Sequence, residues 1–116
     1  MNVEEFREYC LLKKGVTEEF PFDLETLVFK VGGKIFALTG LEHPVFAVNL
    51  KCNPDYAEEL RASYSEISSA YHMSKKHWNT VNFEGCLTDE FLKSLIDHSY
   101  DLVVQKLPKN LREKLL

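Results

Sequence analysis

Apolar and polar residues alternate with a period of two through the middle of the chain. Over residues 27–38, two apolar runs flank Gly32-Gly33. A Gly-Gly pair accepts the positive φ angles of a two-residue hairpin turn. That turn predicts Val31 opposite Lys34, Phe29 opposite Phe36 and Leu27 opposite Leu38, all on one apolar face. Val28, Lys30, Ile35 and Ala37 then fall on the other face. Residues 39–44 read as a loop broken by Gly40 and Pro44. A third strand is expected over 45–51, with Phe46, Val48 and Leu50 joining the apolar face and Asn49 and Lys51 the second. A further run over 77–83 sets Val81 and Phe83 against Trp78, Thr80 and Asn82. On this register the latter three share the side of Lys30, Asn49 and Lys51.

Helical spacing frames these strands. Residues 2–14 carry Val3, Phe6 and Cys10 on one face, with Asn2 and Glu5 placed as a capping box and Gly15 as the stop. Residues 16–25 read as a connector with a short extended piece at 19–22, whose Phe20 and Phe22 are expected at the core margin. Asn53-Pro54 opens a second helix to about Tyr64, burying Tyr56, Ala57, Leu60 and Tyr64. Residues 65–76 show weak periodicity and read as a long loop. Thr88 caps a final long helix whose stripe runs through Phe91, Leu92, Leu95, Ile96, Ser99, Leu102 and Val103, ending near Pro108. The last residues can form one amphipathic turn on Leu111 and Leu115. These elements predict an α+β fold in a single domain over residues 1–116, an antiparallel sheet with flanking helices.

Composition adds bounds rather than detail. The chain has 116 residues, 45% of them hydrophobic, and its net charge is −4, so one domain with a real core is expected. The acidic, polar start and the lack of a long apolar run point to a cytoplasmic protein without a membrane span. Three cysteines without CxxC spacing are expected as reduced thiols, mostly buried. Proteins that grip nucleic acid are usually basic, so net acidity argues against that role unless charge is local.

It is local at one place. No acid occurs between Glu66 and Glu84, and that gap holds Lys75, Lys76, His77 and the single Trp, Trp78. Lysines meet phosphates and an aromatic ring stacks on a base, so the mixture suits nucleic acid. A solvated strand start and a surface for a protein partner fit the same residues. His72 and His77 with Cys52 or Cys86 lack the compact spacing of a zinc site. Cys86 and His98 are a nucleophile and base by residue type only. Gly32-Gly33-Lys34 lacks the rest of a phosphate-binding loop. No cofactor and no enzyme activity are expected.

Several runs carry a resemblance. Lys14-Gly15-Val16-Thr17-Glu18-Glu19-Phe20-Pro21-Phe22, Leu27 through Ala37, Val48-Asn49-Leu50-Lys51-Cys52, Tyr71-His72-Met73-Ser74-Lys75-Lys76-His77-Trp78-Asn79-Thr80-Val81, and Leu95 through Val103 resemble the MmcQ/YjbR family of small bacterial proteins. The resemblance implies an α+β fold similar to that of type III secretion chaperones. It also implies DNA binding through a double-wing arrangement of hairpins. The family often has Asn and Arg near the position of Ser74-Lys75-Lys76. Lysine lacks arginine's planar fork, so phosphate contact of low sequence specificity is the expectation. The candidate contacts are Lys30, Lys34, Lys51, Lys75, Lys76, His77 and Trp78, on a chain expected to act as a monomer. A protein-interaction adaptor is the alternative.

Overall fold

A computed structural model describes residues 1–70 and 73–116. The elements in chain order are α1 (Val3–Leu11), β1 (Val16–Glu19), β2 (Thr26–Val31), β3 (Lys34–Gly40), β4 (Ala47–Lys51), α2 (Pro54–Ser63), β5 (Ile67–Ser69), β6 (Trp78–Asn82), α3 (Asp89–Gln105) and α4 (Lys109–Glu113). The six strands form one antiparallel sheet in the order β1-β2-β3-β4-β6-β5. The fold is α+β, as expected.

Local chemistry sets the helix starts. Asn2 and Glu5 form the reciprocal capping box of α1. Asn53 caps α2 ahead of Pro54, and the Thr88 hydroxyl accepts from the Phe91 amide at α3. The first helix is shorter than its spacing predicted. It stops at Leu11, and Gly15 turns the chain at φ +74° only after three further residues. There Lys13 reaches across to Asp97 of α3, which also accepts from the Tyr9 hydroxyl.

The hairpin turn forms at Gly32 and Gly33, and Val31 faces Lys34 as predicted. Beyond the turn the register departs from expectation. A bulge between Phe29 and Lys30 puts Phe29 opposite Ala37 and Leu27 opposite Thr39, so Phe36 and Ala37 are both buried. One extra residue on β3 absorbs the shift. The strand also continues to Gly40, where a loop was expected.

Two further expectations fail. Residues 65–76 are not all loop, because Ile67–Ser69 pairs as an edge strand with β6. The edge strand at the other end of the sheet is Val16–Glu19, upstream of the extended piece expected at 19–22. Phe20 and Phe22 are 46% and 67% exposed rather than at the core margin. Asp23 explains the departure: its carboxylate accepts from the Glu25 and Thr26 amides, tying a tight loop that leaves the sheet.

The core lies on one face of the sheet. Phe6 of α1 meets Phe29, Phe46 and Phe83 in edge-on contacts. Ala57 and Leu60 of α2 join Leu92, Leu95, Ile96 and Val103 of α3 in the same cluster. Leu111 and Leu115 of the C-terminal segment pack against it, so the tail does form the amphipathic turn. Tyr64, expected in the buried stripe of α2, is 36% exposed but its ring rests on that of Phe91. Among the described residues no helix is long and apolar enough to cross a membrane.

Candidate nucleic-acid interface

The second face of the sheet is set by ladder register. Lys30 lies opposite Ile35, Leu38 opposite Asn49, Asn49 opposite Thr80 and Lys51 opposite Trp78. Residues opposite one another share a face, so Lys30, Asn49, Lys51, Trp78 and Thr80 stand together. This is the grouping that alternation predicted. Ala37 and Leu38 exchange sides, because of the bulge: Ala37 joins the core and Leu38 lies opposite Asn49 on the second face. Each of these residues keeps part of its surface in solvent, while α1, α2 and α3 all pack on the opposite face.

At one end of this face the sheet splits. The β3–β4 ladder consists only of Ala37–Leu50 and Leu38–Asn49. One residue further on, the fully buried Ser99 of α3 occupies the seam. Its hydroxyl donates to the Phe36 carbonyl at 2.5 Å and accepts from the Lys51 amide at 2.9 Å. The helix side chain thus replaces a rung of the ladder and holds the two strands apart.

The opening is a cleft of about 570 Å³. Val103 of α3 and Leu107, just past its C-cap, are both buried and form its floor, and Ile35 and Met73 also line it. Phe22, from the loop tied by Asp23, and Trp78 also line it. Among the described residues four lysines line it, Lys30, Lys34, Lys51 and Lys106, and no acid does. Lys30 pairs with Glu19 at 3.3 Å, at a part-buried contact. Lys51 is held below the ordinary lysine range, first by burial and then by the charge of Lys106. Both causes penalise an ammonium that lacks a nearby anion.

The predicted residues therefore separate into two groups. Lys30, Lys34, Lys51 and Trp78 converge on the cleft. Lys75 and Lys76 are exposed on the turn that leads into β6 and do not line it. The Lys75 carbonyl accepts from Arg61. His77 is half-buried and its carbonyl accepts from the Cys52 amide, so its backbone serves as a strut. Tyr71 and His72 lie outside the described residues. Lys106 was not foreseen. It lies 55 positions after Lys51 in the chain, and no local pattern joins them.

The other chemistries find different partners. Among the described residues no group of three His, Cys, Asp or Glu could hold a metal. Cys10 and Cys52 are buried, and burial pushes their thiols up to about 12 and about 11, which keeps them protonated at neutral pH. Cys86, by contrast, is exposed. Its amide donates to Glu66, whereas His98 Nε2 accepts from the Asn53 amide at 3.1 Å. Burial holds the His98 imidazole below its usual range, consistent with a neutral ring bracing the N-terminus of α2.

Comparison with known proteins supplies the family. The YjbR family model matches residues 11–102. The uncharacterised protein YjbR of Escherichia coli (strain K12) is 34% identical over 116 residues, 100% of this chain and 98% of that protein. The uncharacterised protein YbdF of Escherichia coli O157:H7 is 40% identical over 90 residues, 78% of this chain and 74% of that protein. The crystal structure of Deinococcus radiodurans protein DR2400, with a DUF419 domain, superimposes with a TM-score of 0.92 at 39% identity. It covers 98% of this chain and 87% of that one.

Proposed function

The chain belongs to the YjbR family, and on that footing we propose that it binds DNA, with low sequence specificity, through the open face of its sheet. The observation that carries this reading is the convergence of Lys30, Lys34, Lys51 and Lys106 on one acid-free cleft beside Trp78, in a chain of net charge −4. Lysines supply phosphate contacts without a fixed donor geometry, which favours affinity over base readout. Lys75 and Lys76, on the turn that precedes β6, lie outside the cleft and are not among its contacts. Net acidity of the chain favours DNA binding where the positive charge is concentrated.

An open sheet with one half-buried indole at its surface suits a single strand better than a duplex. Unpaired bases present a π-face to the ring, whereas paired bases are hidden. Trp78 is the only tryptophan, so its fluorescence reports on this site alone. Titration with short oligothymidylate should quench it. Each phosphate contact on a single strand contributes roughly −0.7 to the dependence of log K on log salt. Four lysines predict a slope of roughly −3. Absence of quenching and of binding at low salt would sink the reading.

A further inference from the structure

We infer that the split between β3 and β4 is built to hold one nucleotide unit, its base against the indole of Trp78 and its phosphate between Lys51 and Lys106. This rests on the nucleic-acid reading and gives it a discrete pocket in place of a uniformly charged surface. Three features separate the two. A volume of about 570 Å³ falls in the range of pockets that enclose small molecules. The floor is apolar, made by Val103 and Leu107, and so suits the flat, weakly hydrated face of a base. The charges stand at the margin of the same cavity, where they meet a phosphate.

The spacing follows from the ladder. Lys51 and Trp78 are cross-strand partners, which places their Cβ atoms about 5 Å apart. The ammonium and the ring therefore reach neighbouring parts of one ligand. Lys106 arrives from the C-terminal end of α3, across the gap that Ser99 keeps open. A bound phosphate would be closest to the two cations that now repel each other, so occupancy relieves that repulsion.

The test uses the full chain and the Trp78 signal, with thymidine 5′-monophosphate, thymidine, inorganic phosphate, a short oligothymidylate and its abasic counterpart as ligands. Stacking of one base predicts that the monophosphate binds at least about tenfold more tightly than inorganic phosphate. The abasic strand should bind at least about tenfold more weakly than its parent. If parent and abasic strands bind equally and the monophosphate binds no better than phosphate, the pocket assignment falls while DNA binding stands. If the monophosphate binds and neither strand does, the pocket stands and the DNA reading falls. If no ligand binds, both fall.

Discussion

Phe6→Ala should cost about 3–5 kcal/mol of folding stability, the largest loss expected from any single substitution considered for this chain. Phe6 is fully buried. Its ring lies 5.3 Å from that of Phe29, 5.7 Å from Phe46 and 5.5 Å from Phe83, each contact edge-on. It is the piece of α1 that joins β2 to the residues flanking β4 and β6. Truncation removes the transfer free energy of the ring and leaves a cavity whose walls are rigid aromatics. Such a site collapses poorly, which places the cost toward the upper part of the range. Urea unfolding would show it as a lower midpoint with an unchanged slope. A loss under about 1.5 kcal/mol would mean that the three remaining rings repack around the gap, below the cost usual for large-to-alanine core changes.

Ser99→Ala should cost about 2–4 kcal/mol, although only one oxygen is removed. The hydroxyl serves two main-chain groups that lost each other when the strands parted, the Phe36 carbonyl and the Lys51 amide. Alanine leaves both unpaired in a dry seam, and each unpaired group costs about 1–3 kcal/mol. Relaxation can recover part of this only if β3 and β4 close toward each other, which narrows the cleft. Two observations should therefore coincide: the stability loss, and faster hydrogen exchange of the Lys51 amide. A loss below about 0.5 kcal/mol with unchanged exchange would show that Ser99 does not hold the seam, since such a change is typical of surface substitutions.

How much of this was legible depends on the range of the interaction. Asn2, Asn53-Pro54 and Thr88 act within one turn of themselves, so their caps follow from sequence. Gly32-Gly33 fixes its own hairpin for the same reason. Alternation placed Lys30, Asn49, Lys51, Trp78 and Thr80 on one face, because side-chain direction in a strand is local. The bulge at Phe36-Ala37 was not legible. It is settled by what packs above it, where Tyr100 of α3 meets Phe36 at 5.5 Å between ring centres. The short strand β5 lacks alternation and exists through pairing with β6.

For the site, the charged stretch around Lys75 and Lys76 was the visible signal. The cleft itself depends on a serine and a lysine from a helix far along the chain. Ser99 did leave a trace. A hydroxyl within the apolar stripe of α3 must find a partner, though sequence does not say which. Lys106 left none, since a lysine at the end of a helix is ordinary.

The central claim is that the lysines at the split, rather than those on the turn, carry nucleic-acid binding. The salt dependence of oligothymidylate binding, measured for Lys51→Ala with Lys106→Ala beside Lys75→Ala with Lys76→Ala, tests it most directly. Loss of two phosphate contacts should reduce the slope from roughly −3 to roughly −1.5 in the first variant and leave it near −3 in the second. Equal slopes in the two variants, or a larger change in the second, would contradict the claim.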